Sequence, residues 1–236
     1  MTTRPRYATF FSTLVVGAFS LTMGCGESEP EQSGGLDRGN GEAALETNSY
    51  GVAYPTEGIG TKARVGSRTG DKMKNFKFQG YPDGQAAGGL RPMKMADFYD
   101  PEVRNNIKLI HFQASGTWCI YCKEESKAVA PKIQAWREKG VVYILSMAEG
   151  ASNSSPAEVK DLDNWLKNHS LVTPAWLDSG NQQLGVFYDA AAMPWNATVD
   201  ATTMEIIDSH MGFEGVDKIE ANFTKWIAEI DARPKQ

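Results

Sequence analysis

Two cysteines separated by two residues carry the clearest chemistry in this sequence. Cys119 and Cys122 form a C-x-x-C pair, and the third cysteine, Cys25, stands far from them near the N-terminus. Two thiols at this spacing can form a disulfide with each other and can exchange it with the thiols of another molecule. The pair therefore predicts dithiol-disulfide chemistry.

A C-x-x-C pair can also bind zinc or serve as a static cross-link. A structural zinc site normally has four ligands, and beside this pair the chain offers three scattered histidines, His111, His169 and His210. We therefore expect no metal and no organic cofactor, although a histidine-assisted zinc site stays open. A disulfide across so few residues closes almost no loop, so it would contribute little as a purely structural bond.

The elements around the pair predict alternating strands and helices. The pair follows a mostly apolar stretch at 107–113 and opens a helix predicted over 119–139, where apolar residues repeat at helical spacing. The other predicted elements are strands at 75–79, 141–148, 174–177, 195–199 and 204–208, a helix introduced by a capping box at Ser155-Pro156-Ala157-Glu158, a helix or turn at 181–188, and a closing helix through 219–230. This order predicts an α/β domain with a mixed central sheet and helices on both faces.

A position at the start of a helix makes Cys119 the predicted nucleophile. Unpaired N–H groups and the helix dipole favour a thiolate there and lower the pKa of the thiol. Cys122 lies one turn further in and is expected to be less exposed, so it is the predicted resolving cysteine.

The N-terminus is similar to a bacterial lipoprotein signal. Arg4 and Arg6 precede an apolar stretch from Ala8 to Met23, which ends at Gly24-Cys25. The resemblance implies that Cys25 is lipidated and becomes the new N-terminus. The residue after it, Gly26, favours sorting of the protein to the outer membrane. Simple secretion with an incidental cysteine is the alternative. In either case the protein is exported to a compartment where disulfides persist.

Composition then divides the rest of the chain. Residues 1–24 are the predicted signal peptide, residues 25–70 are poor in apolar side chains and predict a flexible tether, and residues 71–236 form the predicted domain. The net charge of −5 argues against a nucleic-acid partner.

The residues around the dithiol resemble the thioredoxin-like redoxins of bacterial envelopes, of the TlpA and ResA type. Those proteins have a hydrophobic strand, then Trp-Cys-x-x-Cys, then a glutamate three residues on. The matching residues here are Lys108 to Phe112, Trp118 to Cys122, Glu125, Leu177-Asp178, Gly180, Met193-Pro194 and Gly212. The resemblance covers about residues 75 to 230 and implies a thioredoxin-like fold.

The resemblance also implies a partner-binding surface. In that family a cis-proline loop packs beside the dithiol and presents backbone groups to an incoming chain, which gives Met193 and Pro194 this role. A trans proline at the start of an edge strand is the alternative. Trp118, Ile120 and Tyr121 complete the predicted substrate-binding set, with Trp118 shielding and positioning the nucleophile.

The sequence departs from the family at the group that moves protons to the inner cysteine. The strand before the dithiol lacks the buried acidic residue of thioredoxins, and His111 or Gln113 lies nearest. His111 is either a hydrogen-bonded core residue or a proton relay for Cys122. Glu125 either tunes the dithiol or is a solvated helix residue. The pair Ile120-Tyr121 lacks proline, so the reduction potential is not predicted.

These features predict an extracytoplasmic thiol-disulfide oxidoreductase that acts on protein thiols and disulfides. The resemblance implies a membrane electron donor and a role such as reduction in cytochrome c maturation or envelope redox homeostasis. The expected location is the periplasmic side of the bacterial envelope, with a lipid anchor. The alternatives are a non-catalytic thioredoxin-like binding or assembly lipoprotein and a thiol peroxidase.

Overall fold

The structure is a computed structural model that describes residues 46–59, 68–189 and 191–234. The predicted signal peptide at 1–24, the lipidation site Cys25 and the first part of the predicted tether lie outside the described residues. Within those ranges, no helix combines the length and the apolar character that crossing a membrane requires.

Strands and helices alternate along the described chain. The strands are β1 (Lys77–Tyr81), β2 (Arg91–Lys94), β3 (Leu109–Gly116), β4 (Val141–Glu149), β5 (Ala175–Leu177), β6 (Trp195–Asp200) and β7 (Ile206–Met211). The α-helices are α1 (Ile120–Val129), α2 (Ile133–Glu138), α3 (Val159–His169) and α4 (Val216–Asp231), and 3-10 helices span Ala86–Gly88, Met95–Phe98, Ala130–Lys132 and Leu184–Val186. Every predicted strand is present, and β2, which is short and contains a proline, was not predicted.

The strands form one mixed sheet in the order β2-β1-β5-β4-β3-β6-β7. β3, β4 and β5 are parallel neighbours, and the other neighbours are antiparallel. Parallel neighbours need long crossover connections, which α1 with α2 and then α3 supply. β3 is fully buried along its length, so the strand that leads into the dithiol lies in the middle of the domain.

Helices α1, α2 and α4 cover one face of the sheet. The Ser126 hydroxyl of α1 donates to Gln113 of β3, and Phe223 of α4 packs edge-on against His111 of the same strand, with ring centroids 5.1 Å apart. α3 contacts these helices through Trp165, whose indole N–H donates to the Ser126 oxygen of α1. Polar side chains of the sheet therefore lie beneath the helix that carries the dithiol.

The opposite face is covered by aromatic side chains and short 3-10 helices. Trp176 of β5 stacks on Phe78 of β1, with ring centroids 4.2 Å apart, and Phe98 from a 3-10 helix packs on the same indole. Phe187, which follows the last 3-10 helix, stacks on Trp195 of β6. Helical segments thus cover both faces, as predicted, and the long ones share one face.

The helix predicted over 119–139 is interrupted in its middle. α1 ends at Val129, a 3-10 turn spans Ala130–Lys132, and α2 begins at Ile133. Pro131 lies within this turn, and a proline has no N–H to donate to the preceding helical turn. The break therefore follows from a residue that the sequence already shows.

The capping box predicted at Ser155 to Glu158 is wrong. α3 begins after Glu158, whose backbone N–H donates to the Asp161 carboxylate at 2.8 Å. Pro156 instead pairs with Glu149 at the end of β4 in an isolated bridge. This pairing holds the chain before α3 in an extended conformation, so the helix cannot start there.

Residues 46–59, which composition assigned to the flexible tether, lie against the domain. Tyr54 is buried and its hydroxyl donates to the Met73 carbonyl at 2.7 Å. The side-chain N–H of Asn48 donates to the Tyr99 carbonyl at 3.0 Å. This part of the tether prediction is therefore corrected, because a few aromatic and polar groups find partners that average composition does not reveal.

Replacing Tyr54 by phenylalanine tests this docking. The change leaves the buried Met73 carbonyl without its donor, so we expect the free energy of unfolding to fall by about 1–2 kcal/mol. Urea unfolding followed by circular dichroism measures the change. Tyr121→Phe is the matched control, since that ring is 63 % exposed, and equal midpoints for the two variants would contradict the docking.

Candidate active site

The dithiol lies in the first turn of α1, directly after the central strand β3. Cys119 is the N-cap residue, and its sulfur accepts the backbone N–H of Cys122 at 3.0 Å. The two sulfurs form a disulfide, with the Cα atoms 5.3 Å apart. When the disulfide opens, this N–H and the helix dipole both stabilise negative charge on the Cys119 sulfur. The geometry therefore suits a nucleophilic Cys119.

Both cysteines are buried in the disulfide form. Cys119 exposes 2 % of its surface and Cys122 none. Ile120 and Tyr121, the two residues between them, are 67 % and 63 % exposed. The disulfide thus lies just beneath an exposed apolar surface patch.

Gln113 lies beneath the dithiol and is held by three partners. Its amide N–H donates to the Cys122 carbonyl at 3.0 Å, and its amide oxygen accepts from the Ser126 hydroxyl at 2.9 Å and from the Tyr143 hydroxyl at 2.6 Å. Because a carbonyl only accepts, the contact with Cys122 fixes which way the amide points. The sequence left open whether His111 or Gln113 lies nearest the inner cysteine. In the structure, Gln113 is the one that contacts Cys122.

Glu125 is fully buried beside the same network. Its carboxyl accepts the side-chain N–H of Asn196 at 3.0 Å and lies 3.3 Å from the Tyr143 hydroxyl. Burial raises the pKa of Glu125 to about 7, and the Asn196 hydrogen bond opposes this shift only in part. The solvated reading of Glu125 is therefore wrong: a carboxyl that exchanges protons near neutral pH lies one helical turn after Cys122.

His111 is a buried residue of the sheet. Its Nδ1 lies 2.9 Å from the Thr198 hydroxyl and its ring packs on Phe223. Burial lowers the pKa of His111 to about 3, with the nearby His210 as the second cause. An imidazole with this pKa stays neutral at neutral pH. The structure thus favours the core reading of His111 over a proton relay to the dithiol.

Trp118 is fixed beside the dithiol by a carboxylate. Its indole N–H donates to the Glu149 carboxylate, at the end of β4, at 2.6 Å. Gly116 leaves room for this contact, because a Cβ there would lie 2.7 Å from the indole nitrogen. The ring is therefore held in place, as a shielding and positioning residue requires.

The Met193–Pro194 peptide bond is cis, as the resemblance implied. These residues precede β6, which runs antiparallel to β3. The start of β6 therefore lies beside the end of β3, where the dithiol follows. The Pro194 carbonyl accepts the N–H of Gly212 at 2.7 Å, just beyond the end of β7. The sheet therefore brings the loop and the dithiol to one end of the domain.

Three residues of this site were missed by sequence analysis: Tyr143, Asn196 and Glu149. Each is a polar side chain on a buried strand, and that is the one signal that the sequence offered. Their relation to the dithiol depends on strand pairing, which sets Gln113 opposite Asn196. Pairing between strands so far apart in the chain is not visible in local pattern.

Two grooves lie away from the dithiol. They measure about 710 and about 530 Å³ and are formed mainly by β1, β2, the chain before β1, and residues 177–183. None of the predicted site residues lines either groove. Among the described residues, no group of three or more His, Cys, Asp or Glu side chains is arranged to hold a metal ion.

No family model matches the sequence, and no curated protein matches it. Solved structures do share the fold. A Chlorobium tepidum protein classed as the thiol:disulfide interchange protein DsbE aligns with a TM-score of 0.52 at 17 % identity, over 68 % of this chain and 99 % of its own. A secreted thiol-disulfide isomerase from Corynebacterium glutamicum gives 0.51 at 13 %, over 74 % and 97 %.

The protein AhpC from Enterococcus faecalis shares the fold equally well, with a TM-score of 0.51 at 14 % identity, over 71 % of this chain and 98 % of its own. At such identities the comparisons establish a thioredoxin-like fold, which confirms the predicted fold class. One fold serves proteins of different names, so an activity has to be argued from the site.

Proposed function

We propose that this thioredoxin-like domain is a thiol-disulfide oxidoreductase that exchanges the Cys119–Cys122 disulfide with protein thiols. The observation that carries the proposal is the N-cap position of Cys119, with its sulfur bonded to the inner cysteine and within 3.0 Å of a helix N–H. This arrangement makes Cys119 the better nucleophile and leaving group of the two.

The exchange begins when a partner thiolate attacks the Cys119 sulfur. A bond forms between the partner and Cys119, the Cys119–Cys122 bond breaks, and Cys122 leaves as a thiolate. A second partner thiolate then attacks the mixed disulfide, which releases Cys119 and an oxidised partner. The partner loses two electrons and the protein gains them, and the reverse sequence reduces a partner disulfide.

Glu125 is the proposed proton donor to the leaving Cys122 thiolate. It lies one helical turn after Cys122, and hydrogen bonds through Tyr143 and Gln113 connect it to the backbone carbonyl of Cys122. With a pKa of about 7, the carboxyl holds a proton in a large share of molecules at neutral pH and can take it back in the reverse step. In thioredoxins this role belongs to a buried acidic residue on the strand before the dithiol. Here we assign it to Glu125, which lies on helix α1.

The partner is proposed to be an extended protein segment with an apolar side chain. Ile120 and Tyr121 expose apolar surface beside the dithiol, and the Met193-Pro194 loop and Trp118 border the same edge of the sheet. Exposed apolar residues next to a reactive centre favour binding of a protein chain. We place Ile120, Tyr121 and Trp118 in the substrate-binding surface, together with backbone groups of Met193 and Pro194, which are themselves buried.

The location is proposed to be the bacterial envelope, with a lipid on Cys25 and a membrane electron donor that keeps the dithiol reduced. The N-terminal sequence supports export, and one structural relative is named as secreted. A reductive role, such as cytochrome c maturation or envelope redox homeostasis, follows from the family resemblance.

An alternative function, a binding module with an inert disulfide, is favoured by the burial of both sulfurs. Catalysed reduction of insulin by dithiothreitol distinguishes the oxidoreductase from the binding module. The control is protein whose cysteines are alkylated after reduction. We expect the native protein to accelerate insulin precipitation and the alkylated protein to give the uncatalysed rate. Equal rates would leave the binding module as the better assignment.

A further inference from the structure

The hydroxyl of Tyr143 lies between two acceptors but has only one proton to donate. Its oxygen is 2.6 Å from Oε1 of Gln113 and 3.3 Å from Oε1 of Glu125. All three side chains are buried, and they come from β4, β3 and α1. A phenol has a single O–H, so it can make a strong hydrogen bond to one of these oxygens at a time. The shorter contact identifies Gln113 as the acceptor in the disulfide form.

The amide of Gln113 is fixed, and it has a second donor besides Tyr143. Its N–H donates to the Cys122 carbonyl at 3.0 Å, so its oxygen must face Tyr143 and Ser126. The Ser126 oxygen accepts the indole N–H of Trp165, which can only donate, so the Ser126 proton goes to Gln113 at 2.9 Å. The Gln113 oxygen therefore keeps one hydrogen bond even when the Tyr143 hydroxyl turns away.

The two oxygens of Glu125 have different neighbours. Oε2 accepts the side-chain N–H of Asn196 at 3.0 Å, and Oε1 faces the Tyr143 hydroxyl. While Oε1 carries a proton, it can donate to the Tyr143 oxygen, and Tyr143 can donate to Gln113. Once that proton has left, Oε1 is a buried charge in contact with the Tyr143 hydroxyl. A hydrogen bond to a charged acceptor is about twice as strong as one to a neutral acceptor, so ionisation of Glu125 reverses which acceptor Tyr143 prefers.

The titratable groups around Glu125 leave Tyr143 as a donor that keeps its proton. Burial raises the pKa of Glu125 to about 7, while Asn196 on β6, His210 on β7 and Tyr143 on β4 lower it, in that order of effect. Burial, followed by the charge of Glu125, raises the pKa of Tyr143 well above its ordinary value. On β3, burial lowers the pKa of His111 to about 3, so His111 stays neutral. Near pH 7, then, Glu125 changes its charge and Tyr143 can respond only by rotating its O–H.

We propose that the Tyr143 hydroxyl is a switch that donates to Gln113 while Glu125 holds its proton and turns to Glu125 when that proton has left. The inference rests on the proposed function, in which Glu125 gives its proton to the Cys122 thiolate. The bond from Tyr143 stabilises the carboxylate that this transfer leaves, and it returns to Gln113 when Glu125 is protonated again. Tyr143 keeps its own proton throughout, so no further reactant is required. Tyr143 is therefore a positioning residue that acts through Glu125.

A titration followed by NMR tests the switch in the full-length oxidised protein. The ring carbon that bears the hydroxyl and the glutamate carboxyl carbon are both labelled with ¹³C. We expect the Tyr143 signal to move with the same midpoint as the Glu125 signal, about pH 7, and by much less than tyrosinate formation would cause. In Glu125→Gln it should stop moving. Tyr54, a buried tyrosine whose hydroxyl donates to a backbone carbonyl, is the control and should stay constant. A Tyr143 signal that does not follow Glu125 would overturn the switch.

Two matched variants separate the switch from a purely structural role. Tyr143→Phe and Ser126→Ala each remove one donor from Gln113, but of these two side chains Tyr143 is the one in contact with Glu125. In Tyr143→Phe the Glu125 midpoint should rise by about one pH unit, because the charged form loses its donor, and the pH dependence of insulin turnover should move with it. In Ser126→Ala the midpoint should stay close to that of the wild type. Equal midpoints in the two variants would contradict the switch, and the wild-type titration decides the matter if either variant does not fold.

The switch and the proposed function fail in different ways. The NMR midpoints are properties of the oxidised protein and do not depend on insulin turnover. A wild type that does not reduce insulin, but whose Tyr143 and Glu125 signals share one midpoint, would disprove the oxidoreductase and keep the switch. Normal insulin turnover with a Tyr143 signal that ignores the ionisation of Glu125 would disprove the switch and keep the oxidoreductase.

Discussion

Cys119→Ser is expected to lose all catalysis of insulin reduction, with the rate falling to that of dithiothreitol alone. The variant keeps the helix N-cap, because a serine oxygen accepts the N–H that the Cys119 sulfur accepts. What it removes is the thiolate that attacks and leaves in both steps. Stability should therefore change little while activity disappears, which a urea unfolding curve and an insulin turbidity assay on the same sample measure.

Cys122→Ser should fail in a different way. Cys119 can still attack a partner disulfide, but no inner thiol resolves the product, so the mixed disulfide accumulates. Non-reducing gels and intact mass spectrometry then show one partner molecule bound per protein. Cys25→Ser is the matched control for both variants and should keep wild-type insulin turnover. A trapped adduct on Cys119→Ser instead would exchange the roles of the two cysteines.

Glu125→Gln is expected to slow turnover near neutral pH by about 10²-fold, because a glutamine has no proton to give to the Cys122 thiolate. Glutamine keeps the size of the side chain and can still bond to Asn196 and Tyr143. The wild-type rate should change with pH around 7, the pKa to which burial raises Glu125, and the variant should lose this dependence. Glu124→Gln, on the same helix and exposed, is the control.

Glu125→Gln lowers activity, but it should raise the stability of the protein above pH 7. The pKa of Glu125 is raised from 4.5 to about 7 in the folded protein, so the folded state binds more protons than the unfolded state between these values. Its contribution to stability is complete below pH 4.5 and is lost as the pH rises through 7. Above pH 7 the buried charge costs roughly 3 kcal/mol.

Urea unfolding of the oxidised protein between pH 4 and 9 checks this linkage. The wild type should lose stability from about pH 5 to 8, whereas Glu125→Gln should be flatter and more stable than wild type above pH 7. Parallel pH profiles for the two proteins would show that Glu125 is not a buried acid with a raised pKa. A gain in stability with a loss of activity is typical of functional groups held at an energetic cost.

The sequence by itself predicted the cysteine pair that forms the disulfide and most of the fold. The C-x-x-C pair, the apolar strand before it and the helical spacing after it are local patterns, because a helix start and a strand are built from neighbouring residues. The resemblance around Trp118, Glu125 and Pro194 added the thioredoxin-like topology and the cis bond. The break of the first helix at Pro131 was not predicted, since the helical spacing continues through it.

Tertiary structure decided what surrounds the sulfurs. Strand pairing, not local pattern, places Asn196 opposite Gln113 and brings both beneath Glu125. Burial, which depends on the whole packed domain, gives Glu125 a pKa near 7 and removes His111 from neutral titration. Hydrogen bonds and desolvation between residues distant in the chain appear only once the sheet has formed, so the proton chemistry of this site could not be read from spacing alone.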